Sequence, residues 1–388
     1  MPSTGPDRPF FPLLTPSVHG GVDWAALRAQ GVDPAVLVDF SSNQSPLGAS
    51  PLVAAAVAGA VVDAYPDPHA DRLAGALAAR HKVRREQVVV GNGSTELIRL
   101  VAQLALRPGE TALSLAPSFG EYGAGTALAG GRFVEHHLVR GHPACATDRE
   151  GGGFVVDLGA FALTLRRVRP RLCWLCSPNN PTGTPLPPDD LATLLADHPD
   201  VLFVLDEAYS DLLPVPQWTP DLLAAGNLLV LRSMTKTWGL AGLRLGYALG
   251  ALSLTGPLAA AKPPWNVNAC AQAAGLAALA DEAHYRRSLE SLRAGKRLLV
   301  PGLRRQGWDV VPSAAGFFLV QVGDAAAVRA ALLGAGCLAR DCTSFGLPAY
   351  VRVSPRLEHE NERLLAAFSV LAESCSLALA RTTEDEAS

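Results

Sequence analysis

A chain of 388 residues is long for one domain and suits two packed ones. With 49% hydrophobic and 18% charged residues it can bury a large core, which excludes a disordered chain. Its 33 basic and 36 acidic side chains give a net charge of −3, which suggests no nucleic-acid-binding surface. Seven cysteines, an odd number without close regular spacing, exclude a secreted disulfide framework. Cys173 and Cys176 do form a C-x-x-C, but inside an apolar run where residues three apart point to opposite faces of a strand. They read as core, and no second such pair completes a metal site, so no metal is expected. Met1 to Phe11 carries prolines and mixed charges instead of a basic start and an apolar core, and no apolar run approaches the roughly 18 residues of a membrane span. A cytoplasmic protein without membrane contact is expected.

In chain order, a proline-rich extended start leads to His19-Gly20-Gly21, an amphipathic segment from Trp24 to Gln30 and a strand from Val36 to Phe40. That strand runs into the turn-rich loop Ser41 to Gly48. Residues 51–62 are alanine-rich and helical by propensity, Tyr65-Pro66-Asp67 makes a turn, and a helix follows over Ala70 to His81. Val88 to Val90 is a short buried strand. The Gly91 to Glu96 stretch then opens a helix to Leu106, and the free N–H groups at its start suit a phosphate cradle with Gly93, Ser94 and Thr95 as donors. It is neither a Walker loop nor a dinucleotide fingerprint, and a glycine turn between strand and helix is also a common structural device.

The strand Thr111 to Leu115 ends in Ala116-Pro117-Ser118-Phe119-Gly120-Glu121-Tyr122, and residues 131–171 form a less informative β and α unit. A strand from Cys173 to Cys176 leads into Ser177-Pro178-Asn179-Asn180-Pro181-Thr182-Gly183, whose asparagines can bond the backbone of a turn. After a helix from Pro188 to Leu195, the run Val201 to Leu205 reads as a buried parallel strand. It ends in Asp206-Glu207-Ala208-Tyr209, and a carboxylate so placed must be paired to stay charged.

The apolar run Leu228 to Leu231 ends in Ser233-Met234-Thr235-Lys236-Thr237-Trp238-Gly239-Leu240-Ala241-Gly242-Leu243-Arg244-Leu245-Gly246-Tyr247. Burial and a nearby cation disfavour the ammonium form of a lysine at such a strand end. The amine then suits Schiff-base chemistry with a carbonyl, and Ser233 and Arg244 supply the hydroxyl and the fixed cation that a phosphate-bearing aldehyde requires. Pro263 to Asn268 reads as a bridge to a second domain. Beyond it come a helical tract to about Gln306, strands Trp308 to Val311 and Gly316 to Val322, a helix Ala325 to Leu333, strands Cys337 to Arg340 and Tyr350 to Val353, a helix Glu358 to Ala372 and a frayed polar tail. Arg352 lies inside an apolar strand and Arg340 ends the one before it. Cations there are costly unless an anion meets them.

The S-x-T-K-x-x-G-L-x-G-L-R-x-G-Y pattern resembles the cofactor-lysine signature of the fold-type I enzymes that use pyridoxal 5'-phosphate, the aspartate aminotransferase superfamily. The resemblance implies a mostly parallel seven-stranded α/β sheet with helices on both faces plus a smaller α+β domain, with the large cofactor-binding domain over 50–268 and the small domain formed by 1–49 and 269–388. It implies that Lys236 holds the cofactor covalently, with Ser233, Arg244, Gly93, Ser94 and Thr95 on its phosphate and Tyr65 reaching the phosphate of a partner subunit in a homodimer. Asp206 would pair with the protonated pyridine nitrogen, Asn180 and Tyr209 would donate to the phenolic oxygen, and Tyr122, chosen over Phe119, would stack on the ring. A small phosphorylated amino acid would meet His19, Asn43, Arg340 and Arg352.

Two subfamilies compete. Histidinol-phosphate aminotransferases share N-V-N-x-x-A-Q, present here as Asn266 to Gln272. The opening His19-Gly20-Gly21, Asp39 to Asn43 with Pro46-Leu47-Gly48, Pro264-Trp265, Arg340-Asp341-Cys342 and Tyr350 to Arg356 look more like L-threonine O-3-phosphate decarboxylase of cobalamin biosynthesis, although Ser45 stands where that family usually has asparagine. The expectation is therefore a lyase that releases (R)-1-amino-2-propanol O-2-phosphate, with the aminotransferase as the alternative. A regulator built on the same body would need a DNA-binding segment, and residues 1–50 contain no recognisable helix-turn-helix.

Overall fold

The computed structural model describes residues 18–141 and 152–385, with side chains to residue 373. Seven strands form the main sheet: β1 (Val88–Gly91), β2 (Thr111–Ala116), β3 (Arg132–His137), β4 (Leu172–Cys176), β5 (Leu202–Asp206), β6 (Leu228–Ser233) and β7 (Gly246–Gly250). Their order is β1-β7-β6-β5-β4-β2-β3, and β7 runs antiparallel to both neighbours while β6 to β3 are parallel. The strands that were legible as unbroken apolar runs are those buried on both faces. Alternation assigns Leu113, Leu115, Cys173 and Leu175 to one apolar layer and Ala112, Leu172, Trp174 and Cys176 to the other, so the two cysteines of the C-x-x-C do lie on opposite sides of the sheet. Burial pushes the Cys176 thiol up to about 12, as suits a packing residue. Five cysteines with described side chains, Cys173, Cys176, Cys270, Cys337 and Cys342, are free thiols.

Helix starts follow their capping chemistry. Ser50 accepts from Leu52 N with Pro51 at the first helical position of Pro51–Ala58, and Asn268 accepts from Ala271 N at the start of Ala269–Ala280. The helix expected over 51–62 stops at Ala58 because Gly59 follows. The expected helical tract to Gln306 is two helices, Ala269–Ala280 and Glu282–Arg305, split at Asp281, whose carboxylate caps the second and accepts from Ser50 Oγ. Ala271, Ala274 and Ala278 pack with Leu73 and Leu77 under the main sheet, so that unit's apolar layer runs past the boundary expected at 268.

The smaller unit has its own core around Leu299, Phe318, Val320, Leu332, Val351, Val353 and Phe368. Its sheet is β8 (Asp309–Val310), β9 (Phe318–Gln321), β10 (Arg340–Asp341) and β11 (Tyr350–Val353), ordered β8-β9-β11-β10. The strand expected over 337–340 divides, because Cys337–Leu338 pairs in parallel with Val38–Asp39 while Arg340–Asp341 pairs with β11. Phe40, at the end of that N-terminal strand, is fully buried in the small core. The last helix, Glu358–Asp385, runs into the segment expected to fray. Among the described residues no helix is long and apolar enough to cross a membrane, and no group of three or more His, Cys, Asp or Glu is placed to hold a metal ion.

Candidate active site

A cleft of about 960 Å³ opens at the carboxyl ends of the parallel strands and is also lined by residues of the 18–24 and 41–44 segments and by Arg352 of β11. This is where an open parallel sheet places ligands, because the loops leave the strands there and the helix N-termini converge. Lys236, three residues beyond β6, is partly buried in the cleft, with Nζ 5.7 Å from the centre of the Tyr209 ring. Its loop is fixed from the N-terminal side: Ser45 N donates to Lys236 O, and Gly239 (φ +71°) lies so close that a Cβ would stand 2.4 Å from the Gly48 carbonyl carbon. Only glycine fits that approach.

Asp206 ends β5 and is 3% exposed. It accepts from Tyr122 Oη at 2.8 Å and from Ala208 N at 3.0 Å. Burial raises its pKa, against the opposing pull of those two donors and of Lys236. Below it Arg232 donates to Glu207 Oε2 at 2.7 Å and to Asp211 Oδ1 at 2.6 Å, and Trp218 Nε1 also donates to Glu207. Glu207 is thus structural, as its sequence position suggests, and the buried network sets the turn that carries Tyr209.

At the head of the helix Gly93–Ala105, Ser94 and Thr95 line the cleft together with Ser233, Thr235 and Arg244. Gly93 has φ +78°, and a Cβ there would meet Arg244 Nη2 at 3.0 Å. A Cβ on Gly246 would stand 2.5 Å from Ser94 N, so a bare β7 lets the helix start settle against the sheet. Hydroxyls, unpaired helix N–H groups and a guanidinium around one bare loop are the donor set of a phosphate site.

The structure corrects one aromatic. Tyr122 lies in the first turn of the helix Glu121–Leu128, is fully buried, stacks on Trp174 with centroids 5.1 Å apart and spends its hydroxyl on Asp206. Phe119, still in the loop after β2, is the ring that lines the cleft. Tyr65 is 80% exposed, stacks on Trp265 at 4.3 Å and does not line its own chain's cleft. Of the two loop asparagines, Asn179 bonds Pro117 O and Thr182 Oγ1, tying two turns together, while Asn180 faces the cleft and accepts from Arg352 Nη1.

The substrate side holds polar atoms in reserve. Asn43 is buried with φ +41°, and neither its Oδ1 nor its Nδ2 has a partner. Arg352 and Arg340 are register partners on β11 and β10, both buried. Arg352 Nη2 donates to Ser41 O at 2.7 Å, and Arg340 Nη2 to Val18 O at 2.9 Å and Ser344 Oγ at 2.7 Å, while both Nε atoms are unpaired. Burial, then the neighbouring Arg352, lowers the Arg340 pKa. His19 lines the cleft and meets Glu121 Oε1 at 3.0 Å, with Arg99 on the other carboxylate oxygen. Phe119 was weighed and passed over in the reading of the sequence, and Glu121, Arg99 and Arg232 escaped it. Only the adjacency of Phe119 and Glu121 to a strand end signalled them.

The family model for aminotransferase class I and II matches residues 35–368. The chain belongs to that family. A histidinol-phosphate aminotransferase of Cupriavidus pinatubonensis is 37% identical over 94% of this chain and 95% of its own length. The histidinol-phosphate aminotransferase of Sinorhizobium meliloti, solved with pyridoxal 5'-phosphate, superposes with a TM-score of 0.79 at 23% identity, covering 90% of this chain and 94% of that one. The L-threonine-O-3-phosphate decarboxylase of Porphyromonas gingivalis has a TM-score of 0.71 at 27% identity, over 86% and 99%.

These findings overturn the decarboxylase expectation: curated relatives 35–38% identical over most of the chain are histidinol-phosphate aminotransferases. The strings that favoured the decarboxylase are short, some of them glycine or proline turns and the others strand segments such as those carrying Arg340 and Arg352, and each covers only a few residues of the chain. The protein is a fold-type I enzyme whose cofactor is pyridoxal 5'-phosphate. Its residues fit that group, in the bare Gly93 loop ringed by donors and the buried carboxylate of Asp206.

Proposed function

We propose that this enzyme is an aminotransferase that moves the amino group of histidinol phosphate to 2-oxoglutarate. The observation that carries the reading is the Arg340–Arg352 pair, two buried cations bonded to neutral oxygens with both Nε atoms unpaired. Two adjacent desolvated cations call for a dianion. Histidinol phosphate offers a phosphate and no carboxylate, and a 2-oxo diacid offers carboxylates to the same guanidinium forks.

Ser94, Thr95, Ser233 and Arg244 would hold the cofactor phosphate, Phe119 would face its ring, Asp206 would keep the ring nitrogen protonated, and Asn180 and Tyr209 would serve its phenolic oxygen. When bound, the cofactor supplies an electron sink beside the substrate α-carbon. Lys236 anchors it and, once released, moves the proton at that carbon through its Nζ. Arg340 and Arg352 orient the substrate, and the Ser41–Gln44 loop excludes water from above. The exposed Tyr65–Trp265 pair supports a homodimer in which Tyr65 reaches the partner's site.

With the cofactor-loaded protein, histidinol phosphate and 2-oxoglutarate are expected to give glutamate in stoichiometric amount with loss of the amine. No glutamate from this pair, with turnover of another primary amine, overturns the reading.

A further inference from the structure

Across the cleft from the arginines stands a carboxylate that the reaction just described leaves unused. Glu121 opens the helix Glu121–Leu128, is 3% exposed and lines the cleft in the same turn as Phe119. Its Oε2 accepts from Nε and Nη2 of Arg99 at 3.2 and 3.0 Å. The other oxygen, Oε1, is free for a second partner, and takes the Nε2 of His19 at 3.0 Å. That partner is a half-exposed imidazole whose ring centre lies 5.5 Å from that of Phe119.

The residue before His19 matters equally. Val18 O accepts from Arg340 Nη2 at 2.9 Å, so two consecutive residues reach from the cation of the small sheet to the carboxylate at the head of the helix Glu121–Leu128. From the His19 ring the covalent path to Val18 O runs through a methylene, the α-carbon, the His19 amide nitrogen and the Val18 carbonyl carbon. In histidinol phosphate it runs from the same ring through a methylene, an α-carbon bearing nitrogen and a second methylene to the phosphate ester. The two paths carry an imidazole at one end and an acceptor for Arg340 at the other, and their lengths agree to within about one bond.

We propose that Glu121 determines specificity by accepting an N–H from the substrate's imidazole, and that the Val18–His19 unit occupies both ends of the substrate's place until the substrate displaces it. The proposal rests on the functional reading above. Exchange of one imidazole for another leaves the bond to Glu121 unchanged in kind, whereas Arg340 trades a neutral carbonyl for a dianion, so displacement is driven from the phosphate end. An amine with the phosphate but no ring gains at Arg340 and leaves Glu121 without its donor. Discrimination follows from that loss.

The test compares histidinol phosphate with 2-aminobutan-1-ol O-phosphate, which keeps the amine and phosphate and lacks the ring, in the cofactor-loaded wild type, Glu121→Gln and His19→Ala. Glu121→Gln is expected to lower the preference for histidinol phosphate about tenfold or more, through KM, by removing one charge-assisted bond. His19→Ala, at an exposed position, is expected to lower KM for histidinol phosphate about 2- to 5-fold by removing the competing occupant. Equal rises in KM for both amines in Glu121→Gln, or a higher KM for histidinol phosphate in His19→Ala, would mean that these residues only tether the N-terminal segment, and would overturn the inference while the functional reading stands. A wild type that makes no glutamate from histidinol phosphate breaks the functional reading itself.

Discussion

The two halves of the cleft are built on opposite principles. On the cofactor side Asp206 and Glu207 are buried and, with the partly buried Arg232, bonded to protein partners, an arrangement complete before any ligand enters. On the substrate side Asn43 has no partner, and Arg340 and Arg352 spend their guanidinium groups on neutral oxygens, backbone carbonyls together with Ser344 Oγ and Asn180 Oδ1, that an anion would outbid. A group that stays through every turnover rewards a finished site. Substrates that alternate, one carrying phosphate and the other carboxylates, need donors that can be reassigned.

The hardest blow to this contrast comes from the cofactor side. Lys236→Ala should cut kcat by on the order of 10⁴-fold or more, because it removes both the covalent anchor and the proton carrier. Borohydride reduction of the wild type should leave its label on Lys236 alone, and label elsewhere would refute the assignment. Next, Arg352→Ala should raise KM for both substrates about 100-fold by losing a buried charge-assisted fork, with Arg352→Lys recovering part of the loss. If kcat fell and KM did not, Arg352 would belong to the finished half.

The smallest effect is on stability. Burial raises the folded pKa of Asp206 above 3.8, so as pH rises the unfolded chain gives up this proton first and the fold loses stability above about pH 4. Without cofactor, Asp206→Asn should therefore raise the Tm at pH 7 by about 1–3 °C and leave it unchanged near pH 3, measured by calorimetry. An equal shift at both pH values would mean that packing, and not charge, is responsible.

Much of the finished half was legible in the sequence, because its residues sit at fixed offsets from strands that are plain apolar runs: Asp206 directly ends one, and Lys236 follows another by three residues. Phe119 and Tyr122 were misassigned for a physical reason. The helix starts at Glu121, so Tyr122 turns back under the sheet against Trp174, and nothing local in the string distinguishes a ring in the loop from one in the first turn. The reassignable half was harder still. The Glu121, Arg99 and His19 cluster joins positions 102 residues apart, and such a meeting is fixed only by the assembled fold. Short motifs pointed toward the decarboxylase, where the likeness over 94% and 88% of the chain is to histidinol-phosphate aminotransferases.

The bond from Ser45 N to the carbonyl of Lys236, beside the close approach of Gly48 and Gly239, leaves the two halves no slack. A group bound at Lys236 and a substrate beneath residues 41–48 therefore share one seam, and any coupling free energy between the two bindings has the same size in both directions.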